Sequence, residues 1–274
     1  MIRKASVDAK AFSTALDQVS KVLRKSSIPV LSEVLVAISG GQCTLTATDI
    51  ETWLFQKIPA RGDDLSFVFR KTKDVAKACR LFDGELELEF SDTGEGKYRS
   101  LTLCMRCGGR AVEFEAMAAE DYPVCAPIKA KASFTVNAAA LLKRVELVGY
   151  AAGKPASTER ATCGNVQFSG KYVFALDGTR LACDTDESLI APRPFMTYAE
   201  SLSHLRMFGD QEVTVELGER QGVITNGTAS IIFRINGVDV YPVDGAVPHS
   251  CQEEFYVQTR DFLRELKYLK EFTA

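Results

Sequence analysis

The sequence predicts an α+β fold made by reiterating one module: a strand, a helix, then a few antiparallel strands. Two observations predict it. The openers at Val7, Val136 and Val257 lie 129 and 121 residues apart, and each leads into a helix-patterned run. A fixed long period is the mark of a repeat architecture. Between the helical runs, apolar and polar residues alternate as they do in half-buried strands.

The elements follow in order. Ala5-Ser6-Val7-Asp8 opens the chain, and Phe12, Leu16, Val19 and Leu23 then mark one side of an amphipathic helix. Strand-like runs follow at 34–38, 44–47 and 53–55, with Gly40-Gly41 as a turn between the first two. A weaker copy begins at 66–70. It leads into a helix with Val75, Cys79 and Phe82, then into runs at 85–90, 101–107 and 111–114. The second long repeat opens at Phe134-Thr135-Val136-Asn137 with Leu141, Val145 and Val148 on its helix. Its half-way copy starts at 188–191 and runs into Tyr198, Leu202, Leu205 and Phe208. A third opener, Phe255-Tyr256-Val257-Gln258, precedes Phe262, Leu266 and Leu269.

Prolines place the limits. Asp121-Tyr122-Pro123-Val124-Cys125-Ala126-Pro127 recurs as 239–248, with Pro123 and Pro242 119 residues apart. Paired prolines restrict the backbone and remove donors, which suits a connector better than a central strand. The expected domains are 1–127 and 128–248, with 249–274 as the opening strand and helix of an incomplete third.

Composition narrows the function. The chain has 274 residues, a net charge of −3 and 25% charged residues, values ordinary for a water-soluble globular protein. No stretch reaches the ~18 apolar residues of a membrane span, and the N-terminus lacks the apolar run of a signal peptide, so a cytoplasmic location without membrane contact is expected. Of the eight cysteines only Cys104 and Cys107 stand close together. Residues three apart on a strand face opposite ways, which disfavours chelation, so packing is the expected role and neither metal nor cofactor is expected. An enzyme would need residues this chain hardly offers. It has two histidines, His204 and His249, no Gly-x-Ser-x-Gly, no phosphate-binding glycine loop and no HExxH spacing.

The stretch 174–186 contains Asp177-Gly178, a strong hairpin signal between two apolar runs. Its likeness to Thr46-Ala47-Thr48-Asp49, 128 residues earlier, extends the repeat. Arg180 just beyond the turn reads either as the rim of a site or as half of an ion pair with Asp177 or Asp184.

Together, Ile28-Pro29-Val30-Leu31, Thr46-Ala47-Thr48-Asp49, Asp121-Tyr122-Pro123, Asp177-Gly178-Thr179-Arg180-Leu181-Ala182 and Tyr241-Pro242 resemble the bacterial DNA polymerase III beta subunit, the sliding clamp. The resemblance spans nearly the whole chain. It implies repeated DNA-clamp domains, helices facing the inside of a ring and antiparallel sheets outside. It also implies a non-catalytic processivity factor that encircles duplex DNA without sequence preference and forms a homo-oligomer. Family rings hold six domains, so two complete domains per chain would close a ring as a trimer. The alternative is a clamp-like protein-binding scaffold that does not encircle DNA.

A clamp needs enough positive charge near the hole to attract phosphates. Lys21, Arg24, Lys25, Lys71, Lys73, Lys77, Arg80, Lys143, Arg144 and Arg206 stand on or beside the expected helices. By resemblance Arg24, Lys25 and Arg160 are the expected phosphate contacts. The resemblance further implies an apolar groove for short peptide motifs of the polymerase and clamp-loader subunits. Cys163, Val166, Leu181, Pro242 and Val247 would line it, with Gly178, Thr179 and Arg180 at the rim.

Overall fold

The fold is described from a computed structural model over residues 1–94, 98–153, 162–237, 239–246, 250 and 253–272. The first module runs β1 (Ile2–Asp8), α1 (Ala9–Val19), β2 (Leu35–Ser39), β3 (Gln42–Thr48) and β4 (Thr52–Gly62). Its half-way copy is β5 (Leu65–Phe69), α2 (Thr72–Cys79), β6 (Glu85–Thr93), β7 (Ser100–Cys107) and β8 (Arg110–Met117). The second repeat runs β9 (Ala132–Asn137), α3 (Ala138–Gly149), β10 (Val166–Gly170), β11 (Tyr172–Leu176) and β12 (Leu181–Thr185). It continues with β13 (Ala191–Thr197), α4 (Ala199–Ser203), β14 (Glu212–Leu217), β15 (Gln221–Thr225) and β16 (Ala229–Arg234).

Local chemistry sets these boundaries. Asp8 leaves β1 with extended dihedrals and accepts the Ala11 N–H at 2.8 Å, capping α1. Asn137 does the same for α3 through Ala140 N at 2.9 Å. Each cap satisfies a donor the helix cannot pair itself. Behind the caps, Phe12, Leu16 and Val19 of α1 and Leu141, Val145 and Val148 of α3 are buried against the sheets. Apolar burial of this kind supplies the main drive for folding. The helix expected around Tyr198, Leu202, Leu205 and Phe208 is shorter than α1, with α4 giving way to a 3-10 helix over His204–Phe208.

One sheet joins the two repeats. Its order is β1-β6-β7-β8-β5-β2-β3-β4-β16-β15-β14-β9, and β1 also pairs with β4. At that closure Gly62 has φ 107°, and a Cβ there would lie 2.4 Å from the Lys4 carbonyl oxygen, so only glycine fits. The two repeats meet where Thr52–Gln56 of β4 pairs with Ala229–Phe233 of β16. A second sheet, β12-β11-β10-β13, completes the second repeat. Phe168 and Phe195 stack at 4.4 Å on β10 and β13, and Phe195 reaches Phe233 of β16 at 6.3 Å.

Contacts group 1–240 as one compact unit and 241–274 as another. The second unit holds α5 (Thr259–Lys270), on which Phe262, Leu266 and Leu269 are exposed. The strand expected over 255–258 is not formed. Those residues join no ladder among the described residues, whereas the openers β1 and β9 pair with β6 and β14.

Candidate nucleic-acid interface

Six cationic side chains, Arg24, Lys25, Lys71, Lys73, Lys77 and Arg80, line one cleft of about 790 Å³ beside α1 and α2. The chain reaches it because α1 continues as a short 3-10 turn at Ser20–Val22 and then turns outward. Ser32 ties that turn down, donating its hydroxyl to the Arg24 carbonyl at 3.1 Å and accepting the Ser26 N–H at 3.0 Å. On the other wall, α2 presents Lys73 and Lys77 on its exposed face while Val75 and Cys79 are buried.

Three carboxylates share the cleft, and each is engaged. Asp17 takes both Arg80 Nε at 3.4 Å and Nη2 at 3.0 Å. Asp74 takes Lys77 at 3.1 Å. Glu33 accepts the Thr72 N–H at 2.6 Å, so its charge sits at the positive N-terminal end of α2. Lys25, Lys71 and Lys73 make no ion pair among the described residues, leaving the cleft cationic.

Arg24 differs from those lysines. It pairs with Asp49 at 3.4 Å and also with Glu200, which ties the first repeat to α4 of the second. Beside it, the Thr52 and Ser201 hydroxyls are buried and 2.7 Å apart. His204 lies next to this seam. Burial lowers its pKa, against the opposing pull of Asp49 and Glu200.

The remaining expected DNA contacts separate. Lys143 is exposed on α3, and Arg206 is exposed but paired with Glu146 at 2.5 Å; neither lines the cleft. Arg160 lies outside the described residues. Arg144 is a correction. It is 4% exposed, and it donates from Nε to Asp184 at 2.6 Å and from Nη2 to the Lys171 and Asp184 carbonyls at 2.8 and 3.2 Å. A guanidinium buried and engaged in this way offers nothing to a phosphate at the surface.

The expected peptide-groove residues are also split. Gly178, Thr179 and Arg180 form an exposed turn, followed by the half-buried Leu181. Asp177 organises that turn, accepting from Thr179 N at 3.0 Å, Thr179 Oγ1 at 2.8 Å and Arg180 N at 3.1 Å. Of the two readings of Arg180, the ion pair is formed: its Nε meets Asp177 at 2.8 Å. Val166 and Cys163 are core residues, at 0% and 5% exposure, and so do not line an open groove. Pro242 belongs to the 241–274 unit, and Val247 lies outside the described residues.

Cys104 is half-buried and Cys107 buried on β7. Among the described residues no group of three or more potential ligands gathers for a metal. Burial pushes the Cys43 and Cys79 thiols up to about 12, far from the thiolate that redox chemistry needs.

Comparison with known proteins bears on this arrangement. The family described as DNA polymerase III beta subunit, N-terminal domain, matches residues 4–126. The beta sliding clamp of Pseudomonas aeruginosa is 22% identical over 259 residues, covering 89% of this chain, and the chain spans 65% of that relative's length. Among solved structures, the Bacillus subtilis DNA polymerase sliding clamp aligns with a TM-score of 0.79 at 16% identity, over 98% of this chain and 73% of that one. The Pseudomonas aeruginosa DNA polymerase III beta subunit aligns at 0.77 and 18% identity, over 90% and 68%. Residues 4–126 are thus similar to the N-terminal domain of the DNA polymerase III beta-subunit family, and the chain shares the fold of the solved sliding clamps along nearly its whole length.

Proposed function

We propose that this chain is a sliding clamp: a non-catalytic processivity factor that holds duplex DNA without reading its sequence and tethers a replicative polymerase. The single observation that carries this reading is the cleft beside α1 and α2, where Lys25, Lys71 and Lys73 are left without acidic partners. Phosphate attraction alone suffices for sliding, because sequence is read only at base edges. Arg24, Lys77, Arg80, Lys143 and Arg206 would add to the field around the same DNA. The domains are 1–127 and 128–248, with 249–274 opening a third. Short peptide motifs of polymerase and clamp-loader subunits would dock near the exposed 178–180 turn and Leu181. No helix among the described residues is long and apolar enough to cross a membrane.

The test is topological. After loading onto nicked circular DNA, the protein should co-elute with the circle and be released when one restriction cut linearises it. Retention that ignores the cut would remove the sliding reading. A Lys25→Ala/Lys71→Ala/Lys73→Ala variant should load poorly while remaining folded by circular dichroism.

A further inference from the structure

An acid in a cationic cleft opposes phosphate binding by its charge, yet Glu33 lines the same cleft as Arg24, Lys25, Lys71 and Lys73. The other two carboxylates there, Asp17 and Asp74, pair with Arg80 and Lys77. Glu33 makes no ion pair among the described residues. Its Oε2 instead accepts the Thr72 backbone N–H at 2.6 Å.

That bond supplies a missing cap. Lys71, the residue before α2, makes no side-chain cap hydrogen bond. The first N–H groups of a helix have no partner within it, so the Glu33 carboxylate satisfies one that the helix's own flank leaves open. Thr72 returns the contact. It is 2% exposed, and its Oγ1 accepts the Val34 N–H at 3.1 Å.

The clasp lengthens an existing tie. Leu35 pairs with Val68 in the β2–β5 ladder, and Phe69 N then donates to Val34 O at 3.0 Å. Glu33 and Thr72 carry the same connection past the last strand pair and up to the cleft. From behind, the buried Tyr122 hydroxyl shares its proton between the Glu33 and Thr46 carbonyls, at 3.4 and 3.3 Å.

Each segment joined by the clasp brings its own cations. The chain before Glu33 supplies Arg24 and Lys25, and Ser32 holds that stretch by donating to the Arg24 carbonyl. Lys71 and Lys73 stand on either side of Thr72. We propose that Glu33 is a positioning residue of this cleft: through Thr72 it holds Lys71 and Lys73 in a fixed relation to Lys25, so that the three bear on one stretch of phosphates. The inference rests on the DNA-binding reading of the cleft.

Charge and position give Glu33 effects of opposite sign. By charge alone its removal strengthens phosphate attraction, whatever replaces it. By position its removal frees the start of α2 and spreads the lysines, unless the replacement still accepts from Thr72. Gln keeps an acceptor oxygen and loses the charge, whereas Ala loses both.

The experiment measures duplex binding by the full chain, using fluorescence anisotropy at several salt concentrations, together with amide hydrogen exchange of the free protein. Glu33→Gln should bind at least as tightly as the wild type with the same salt slope. Glu33→Ala should bind more weakly, its slope lower by about 0.9 for each lysine that drops out, and its Thr72 amide should exchange faster. Thr72→Val changes no charge but removes the return acceptor, so it should follow Glu33→Ala; Thr72→Ser should keep wild-type binding. Tighter binding by Glu33→Ala and Glu33→Gln alike overturns the proposal, and so does an unchanged Thr72 exchange rate in Glu33→Ala. Should Glu33→Ala fail to fold by circular dichroism, Thr72→Val against Thr72→Ser decides, and equal salt slopes overturn the proposal. Should the wild type bind no duplex while Glu33→Ala still speeds Thr72 exchange, the DNA reading of the cleft fails and the positioning role of Glu33 is upheld.

Discussion

Ile50 and Gly178 hold the same place in two copies of one turn, and the backbone is left-handed at both, with φ of 79° and 93°. Glycine takes this conformation without a Cβ clash, whereas a β-branched residue there is strained. The Ile50 side chain is 58% exposed, so little packing offsets the strain. Strain of about 1–3 kcal/mol stands against roughly 0.5–1 kcal/mol of added backbone entropy for glycine. Ile50→Gly should therefore raise the unfolding free energy by about 1 kcal/mol, read as a higher urea midpoint at constant slope. A midpoint that falls would show that the turn gains from isoleucine in some other way.

The Arg144–Asp184 pair yields a second prediction. Arg144 is almost wholly buried, and its Nη1 has no partner among the described residues, so the guanidinium depends on Asp184 and two carbonyls. Removing one member of a buried pair strands the other, at about 3–5 kcal/mol. The Asp184 side chain is 30% exposed and can recover some hydration, so Arg144→Ala should cost about 3 kcal/mol, the lower end of that range. Arg144→Lys should not rescue it, because one ammonium cannot span the acceptors that the planar fork reaches. Urea unfolding of the three proteins decides this, and a loss within ~0.5 kcal/mol of a surface substitution would refute it.

That arginine also shows how far the sequence can be read. Helix phase was legible: Leu141, Val145 and Val148 match Phe12, Leu16 and Val19. The same phase places Arg144 three residues after Leu141, on the buried stripe, where α1 carries Ala15. Reading Arg144 for its charge overlooked its position. Other features had no local signal. Arg24 is held by Asp49 and Glu200, far along the chain, and the β4–β16 junction rests on contacts between residues nearly two hundred positions apart. Alternation at 255–258 reads as strand, yet a strand needs a partner, and none pairs there among the described residues.

Acid sensitivity follows from Asp177. The Thr179 hydroxyl first, then the Thr179 and Arg180 backbone and the Arg180 charge, lower its pKa to about 2. The unfolded value is near 3.9, so the native state favours the ionised form. Its contribution is fully present above about pH 4 and is lost as the pH falls toward 2. Asp177→Asn keeps an acceptor but not the charge. Its stability deficit should be constant at neutral pH and shrink below pH 4, as measured by urea midpoints across that range. A deficit independent of pH would assign the effect to turn geometry alone.

The last prediction separates two cations in the same cleft. Lys73 is exposed and makes no ion pair among the described residues, whereas Arg24 is offset by Asp49 and Glu200. A cation already neutralised by two carboxylates must give up those partners to meet a phosphate, so it gains less from DNA. Each phosphate contact adds about 0.9 to the slope of log affinity against log salt. Lys73→Ala should lower that slope by close to one contact, and Arg24→Ala by clearly less. Arg24→Ala should instead lower the urea midpoint, because it opens the seam between the repeats. Fluorescence anisotropy with a short duplex at several salt concentrations gives the slopes. If Arg24→Ala changed the slope as much as Lys73→Ala while leaving stability untouched, Arg24 would be a phosphate contact rather than a tie between the repeats.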